Sequence, residues 1–488
     1  MTWHVEDISS DGAWFRLTDG RYALLRGICF GPSAKEPPHT PLRSREDWPR
    51  FETYVDLLWA CGWRVLRLAF IWSALEPTCN PESPEYDESY MASFFEYVDL
   101  LIEKGFLIIL DLHQDLVGKA YGGSGMPDWV RSDKAADQTL LPNTALWGLN
   151  YLFNRHLRRT FTDFWSNDLT NSAVTPPLVH FAVRDRYLDM VERVAEEAAT
   201  RPGVFGIEIF NEPHPATIES REFEEEILPK FYEGATERIR RHSQQTFALL
   251  APQSDWNVNV GGKEQESYLR MASRDHRAVF AYHYYDSLLT GFGGYIFHDS
   301  KRDEYVAAQR AGVASARSKG MAPFLTEFGA RQNWMRPVVR RQMNWQYEAI
   351  EQALVSATYW NVNLYNTPET FDGFMREDFS LLGVNQEPRN LDIACRPYVM
   401  AASAEPVHMQ FNIRSKEFEL LLRGRPMAGP TVIYVPVEKL HPLQPVHYPG
   451  GFELEYSGRH SQSMILNELS ITLDPELDMH RIFIRPKS

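Results

Sequence analysis

From about residue 20 to residue 365 the chain alternates short apolar runs with longer amphipathic ones, eight times over. The short runs are YALLRGIC, WRVLRLAF, FLIILDLH, VFGIEIFN, TFALLAP, AVFAYHYY, APFLTEFG and SATYWNVN. They carry few charges, favour β-branched and aromatic residues, and are too short for helices, as strands buried on both faces should be. Between them lie helical patterns such as ESYMASFFEYVDLLIEKG and RDRYLDMVERVAEEAATR. In the first, Met91, Phe94, Phe95, Val98, Leu101 and Ile102 recur at helical spacing, and Gly105 supplies the stop. Eight strand–helix alternations predict a closed (β/α)8 TIM barrel. A doubly wound sheet is the rival, but no glycine-rich phosphate or dinucleotide motif follows any strand.

From about residue 400 the texture changes. VHMQFNIRS, FELLLRG, GPTVIYVPV, GFELEYSG, SITLDP and HRIFIRPKS are short, alternating and separated by Gly, Pro and Asp. They predict a small C-terminal antiparallel β-sandwich. The expected division is a catalytic barrel over 1–398 and a sandwich over 399–488, the sandwich stiffening the barrel. Two insertions interrupt the barrel rhythm. One, near 116–183, contains YGGSGMPDWV and the aromatic-rich LWGLNYLFNRHLRRTFTDFWSN; the other, near 287–300, is rich in glycine and apolar residues around Phe292. Excursions of this length usually shape a site.

Each of two strand runs ends on a glutamate: Glu212 in GVFGIEIFNEP and Glu327 in MAPFLTEFGA. In a barrel, the carboxyl ends of the strands form the catalytic face. Two carboxylates converging there are the minimum equipment for cleaving a glycosidic bond. A lone glutamate at a strand end is as often an ion-pair partner, but here others accompany it. Arg67, His113, Asn211, His283, Tyr285 and Trp360 fall at or near the ends of further strands.

Composition narrows the partners. The net charge of −15 argues against nucleic acid and offers no basic patch for anionic lipid. No run of eighteen apolar residues predicts a membrane span. The N-terminal MTWHVEDISSDGAWF lacks a basic and apolar leader, so no secretory signal is expected. Four scattered cysteines, Cys29, Cys61, Cys79 and Cys395, read as reduced thiols of a cytoplasmic protein. No metal-ligand spacing and no cofactor motif is present in the sequence.

Five stretches carry a resemblance: WSALEP (72–77), DLHQD (111–115), the YGGSGMPDW region, REDFSLLG (376–383) and RPYVMA (396–401). With NEP and HYY, they resemble glycoside hydrolase family 5, in its endoglycoceramidase-related branch. The resemblance implies that Glu327 is the nucleophile and Glu212 the acid/base of a retaining mechanism. It also implies that Arg67 and Tyr285 keep Glu327 ionised, and that Glu212 has a raised pKa. His113, Asn211 and Trp360 would hold the glycone, and His283 would orient Tyr285 or a leaving-group oxygen. Gln114, Asp115 and Lys35 are candidates for outer sugar contacts. Cys29 stands where many relatives have asparagine.

The absence of a secretion signal is similar to intracellular branch members acting on simple glucosides. The expected substrate is therefore a small-molecule β-glucoside or glycolipid, cut by a β-glucosidase with no cofactor. The aglycone is expected between Trp147, Tyr151, Phe161 and Trp165 and the loop around Phe292. The alternatives are an endoglycoceramidase releasing a whole oligosaccharide, an endo-β-1,4-glucanase, and a catalytically silent carbohydrate-binding protein. Oligomeric state is left open.

Overall fold

The computed structural model describes residues 3–132, 147–167, 182–254, 267–271, 275–286, 300–372 and 377–487. Eight parallel strands close into a barrel: Arg26–Phe30, Val65–Phe70, Leu107–Leu112, Val204–Glu208, Phe247–Leu250, Ala278–Tyr284, Ala322–Phe328 and Ser356–Tyr359. Every residue of these strands is buried, which is why the sequence runs are apolar rather than alternating. The helix Glu88–Glu103 buries Met91, Phe94, Phe95, Val98 and Leu101. Asp87 caps its N-terminus by accepting from Ser89 and Tyr90 N–H, and Gly105 at φ +89° lies just beyond its end.

The run YALLRGIC divides in two. Arg26–Phe30 enters the barrel, whereas Tyr22–Ala23 pairs antiparallel with Tyr398–Ala402. Strands Ile8–Ser10, Phe15–Leu17 and Tyr22–Ala23 thereby extend a seven-stranded sheet through Tyr398–Ala402, Thr431–Tyr434, Glu468–Thr472 and Ser461–Ile465. A four-stranded sheet of Glu405–Phe411, Phe418–Arg423, Met479–Pro486 and Phe452–Tyr456 completes the C-terminal unit. The strands within residues 8–23 thus hydrogen-bond into the C-terminal sheet rather than into the barrel. The reason lies in Phe15, whose ring sits edge-on to Phe205, Phe247 and Phe324 on three barrel strands. Filling the base of the barrel draws the N-terminal hairpin across to the sheet beneath it.

Among the described residues no helix is long and apolar enough to cross a membrane. Cys29, Cys61 and Cys395 are buried, Cys79 is half-buried, and all four are free thiols. The loop around Phe292 and the side chain of Trp147 lie outside the described residues.

Candidate active site

Arg67 organises the site from the middle of its strand, not from the end where the sequence suggests it. Its neighbours on the third, fourth and seventh strands are charged. It donates from Nε to Glu208 Oε2 (2.7 Å), from Nη1 to Glu327 Oε1 (2.5 Å) and from Nη2 to Asn211 Oδ1 (2.9 Å). Nη1 also lies 3.0 Å from Asp111 Oδ2. One guanidinium thus serves three carboxylates, using a planar fork that lysine could not supply.

Glu327 receives a second hydrogen bond from the Tyr285 hydroxyl on Oε2 (2.9 Å). Burial works against its charge, but the His283, Arg67, His113 and Lys35 cations outweigh burial and hold its pKa below the usual glutamate value. His283 lies between the two glutamates, with Nδ1 donating to Glu212 Oε1 (2.8 Å) and 3.6 Å from Glu327 Oε2. Its Nε2 lies 3.4 Å from Glu208 Oε1. Burial disfavours the imidazolium, yet Glu327, Glu208 and Glu212 raise the His283 pKa to about 10. An oxygen of Glu212 and one of Glu327 lie within 4.8 Å of each other. The Glu327 side chain is 7% exposed and the Glu212 side chain 20%, so Glu212 faces the open side.

A second row of side chains lies beside this pair. His113 Nδ1 donates to Asp111 Oδ2 (2.7 Å) and Nε2 to Asp115 Oδ2 (3.1 Å), while Lys35 Nζ pairs with Asp115 at 2.7 Å. Against the cost of burial, Asp111 and Asp115 raise the His113 pKa to about 9. Lys35 and His113 likewise overcome burial to hold Asp115 well below the carboxylate range. The Trp360 ring stacks parallel to His113 (centroids 5.9 Å apart, planes within 5°) with Lys35 Nζ 4.6 Å from its centroid. A Cβ on Gly31 would lie 2.0 Å from that ring, so only glycine leaves room for Trp360.

The motif stretches turn out to brace one another. Gln114 does not reach outward for a sugar, as expected; it is buried and clamps the chain at the acid/base candidate. Its Nε2 donates to the carbonyls of Asn211 (2.9 Å) and Glu212 (3.2 Å), and Asn211 Nδ2 donates back to Gln114 O (2.9 Å). That clamp holds Glu212 at φ +46°, a conformation non-glycine residues avoid. The glycine-rich loop pairs Ser124 with Asp115 through both backbone bonds. A Cβ at Gly123 would lie 1.8 Å from Asp115 O, which accounts for glycine there. Ser73 of WSALEP donates to Gly125 O (2.7 Å), and Phe379 of EDFSL packs with Cys29, Trp360 and Tyr285.

The aromatic insertion departs from expectation. Phe161 and Trp165 are buried on helix Arg155–Ser166, Trp165 against Phe210, Phe223 and Phe231, and Phe161 against His214. Tyr151 stacks on His214 and accepts from Leu116 N–H. These three form the seam between insertion and barrel rather than an open groove, because an apolar helical stripe buries itself on the nearest apolar surface. Asp111 and Glu208 escaped the sequence reading. Their signal was present: each is a lone acid inside an otherwise apolar strand run, and such a charge needs a buried partner.

Among the described residues, two groups, Asp111–His113–Glu327 and Glu212–His283–Glu327, bring ligand-type atoms close enough to enclose an ion. The first is already served by the Arg67 cation, which contacts both of its carboxylates. In the second, His283 already bridges the two glutamates as a cation.

The two buried histidines make folding stability sensitive to alkaline pH. A group whose pKa is raised by folding contributes fully below its unfolded value, here about 6.5, and loses that contribution as pH rises through the folded value. The Tm should therefore decline between about pH 7 and pH 10, and His283→Asn should flatten the decline. Thermal denaturation across that range, wild type beside variant, checks it; equal slopes would contradict it.

Residues 44–366 match the family described as Cellulase (glycosyl hydrolase family 5), and residues 396–474 match its C-terminal domain. Endoglycoceramidase I of Rhodococcus hoagii is 24% identical over 93% of this chain and 83% of its own length. A glucosylceramidase of Aspergillus fumigatus is 27% identical over 43% of this chain and 32% of its own. Among solved structures, endo-glycoceramidase II from a Rhodococcus species superposes with a TM-score of 0.72 (22% identity, covering 97% of this chain and 99% of that one). Cryptococcus neoformans sterylglucosidase 1 superposes with a TM-score of 0.79 (16% identity, 98% and 97%). With the family match spanning well over half its length, the chain belongs to glycoside hydrolase family 5, a family of glycosidases.

Proposed function

We propose that the protein is a retaining β-glucosidase that releases glucose from a hydrophobic aglycone, acting in the cytoplasm. The observation that carries this reading is the approach of Glu212 and Glu327 oxygens to within 4.8 Å. Retaining enzymes hold their carboxyl groups about 5–5.5 Å apart, whereas inverting ones leave roughly 6.5–9.5 Å for a water. Glu327, kept ionised by Arg67 and Tyr285, attacks the anomeric carbon and forms a glycosyl ester. Glu212 gives its proton to the departing oxygen, then takes one from the water that hydrolyses the ester. The His283 cation beside Glu327 adds to what keeps that carboxylate ionised. Asn211 has one amide hydrogen left for a sugar hydroxyl after its bond to Gln114 O.

The exo reading rests on which side of the glutamates is closed. We read the buried Lys35, Asp115, His113 and Trp360 as the glycone side of the site, and the more exposed Glu212 as the aglycone side. Similarity to a glucosylceramidase and to an ergosteryl-beta-glucosidase of Saccharomyces cerevisiae (31% identical over 25% of this chain) agrees with a single-sugar lipid. The endo-acting alternative is favoured by the Rhodococcus hoagii relative, which aligns along nearly the whole chain.

Product analysis on glucosylceramide, steryl glucoside and lactosylceramide separates the two. Free glucose from the first two with lactosylceramide untouched is the expected outcome. Intact lactose from lactosylceramide would establish the endo-acting reading instead.

A further inference from the structure

At the joint between barrel and C-terminal sheets lies a small cavity lined by Arg26, Trp63, Tyr347, Glu351, Arg396 and Tyr398. Its volume of about 10 Å³ leaves room for one small occupant. The charges around it do not cancel. Glu351 is fully engaged: Oε1 lies 2.6 Å from Arg396 Nε, and Oε2 accepts from Arg396 Nη2 (3.2 Å) and from Phe411 N–H (3.0 Å). Arg396 is engaged in turn, with Nη2 also donating to Phe411 O (2.8 Å).

Arg26 is left over. It is 5% exposed, and among the described residues neither Nη1 nor Nη2 meets a hydrogen-bond acceptor. The Tyr398 ring lies 5.8 Å from the Arg26 Cζ, and the Tyr398 hydroxyl donates elsewhere, to Gly62 O (2.6 Å). An arginine cannot shed its proton to escape burial. A buried unpaired cation is among the costliest arrangements a fold can hold. Water would satisfy the N–H groups but leave the charge. A small anion satisfies both, and the cavity is too small for phosphate or a carboxylic acid of any length.

We infer that this cavity binds a monovalent anion of chloride size, held by the Arg26 guanidinium. The anion would tie the first barrel strand, which carries Arg26, to the C-terminal unit, which contributes Arg396 and Tyr398. Burial draws the Arg26 pKa down while Glu351 only partly opposes it, as an incompletely compensated cation requires.

The test uses the full-length protein and needs no variant to begin. Crystals soaked in bromide should show an anomalous peak in the cavity within hydrogen-bond reach of Arg26. The wild-type Tm should stand about 2–5 °C higher in sodium chloride than in sodium gluconate of equal ionic strength. Arg26→Met should lose both the bromide peak and the chloride effect. A cavity holding water alone, with equal Tm in the two salts, overturns the inference. Retention of the chloride effect in Arg26→Met overturns the assignment to Arg26.

Discussion

Glu327→Gln should lower kcat/KM for an aryl β-glucoside by about 10⁴–10⁶-fold, the scale seen when a nucleophile is removed. Glutamine keeps the size of the side chain and can still accept from Arg67 through its amide oxygen, and unfolding curves of variant and wild type separate lost chemistry from lost stability. Glu212→Gln should separate two roles that one activity value merges. With a good leaving group such as dinitrophenolate, little protonation is needed, so glycosylation should persist while deglycosylation stalls and a covalent intermediate accumulates. Intact-mass spectrometry would show that adduct in Glu212→Gln and none in Glu327→Gln. Added azide should rescue Glu212→Ala to give a β-glycosyl azide and Glu327→Gly to give the α-anomer. If both glutamine variants retain activity within tenfold of wild type, the two-glutamate mechanism is wrong for this protein.

Arg67→Met carries the second large effect, and it falls on stability as well as rate. The Arg67 side chain is fully buried and touches Asp111, Glu208 and Glu327, whose side chains are 0–7% exposed. Removing the cation strands three carboxylates in low dielectric, and breaking even one buried pair costs about 3–5 kcal/mol. Denaturant unfolding near neutral pH should show at least that loss. The folded fraction has a second signature. Glu327 and Glu208 have pKa values depressed by folding, so their contribution is present above the unfolded value of about 4.5 and is lost as pH falls through the folded one. Without Arg67 the Glu327 carboxyl should protonate at higher pH, moving the acid limb of kcat/KM upward. Arg67→Lys should fall between, keeping charge but not the fork. An Arg67→Met protein with wild-type stability and an unmoved acid limb would show that the network does not act as described.

Much of this was legible before any coordinates. Glu212 and Glu327 could be placed on the fourth and seventh strands because strand runs have a local signature, and a residue just past one must emerge at the rim. His113 and Trp360 followed by the same rule. Gln114 misled because its neighbours His113 and Asp115 invite a sugar-binding reading; only the fold shows its amide spent on the Asn211–Glu212 backbone. Phe161 and Trp165 misled for a related reason: an aromatic stripe at helical spacing tells that a face is covered, not whether protein or ligand covers it.

The sequence by itself determined the barrel, its strand order and the two rim glutamates, because hydrophobic period and strand composition are properties of adjacent residues. Only the tertiary structure decided what those residues meet. Arg67 finds Glu208 141 residues further on and Glu327 260 further on. Tyr22–Ala23 finds its sheet partner in Tyr398–Ala402, on the far side of the whole barrel in sequence. Pairings at such separations leave no periodicity in the chain. They are set when the barrel closes and each lone buried charge or unpaired strand edge must find its partner.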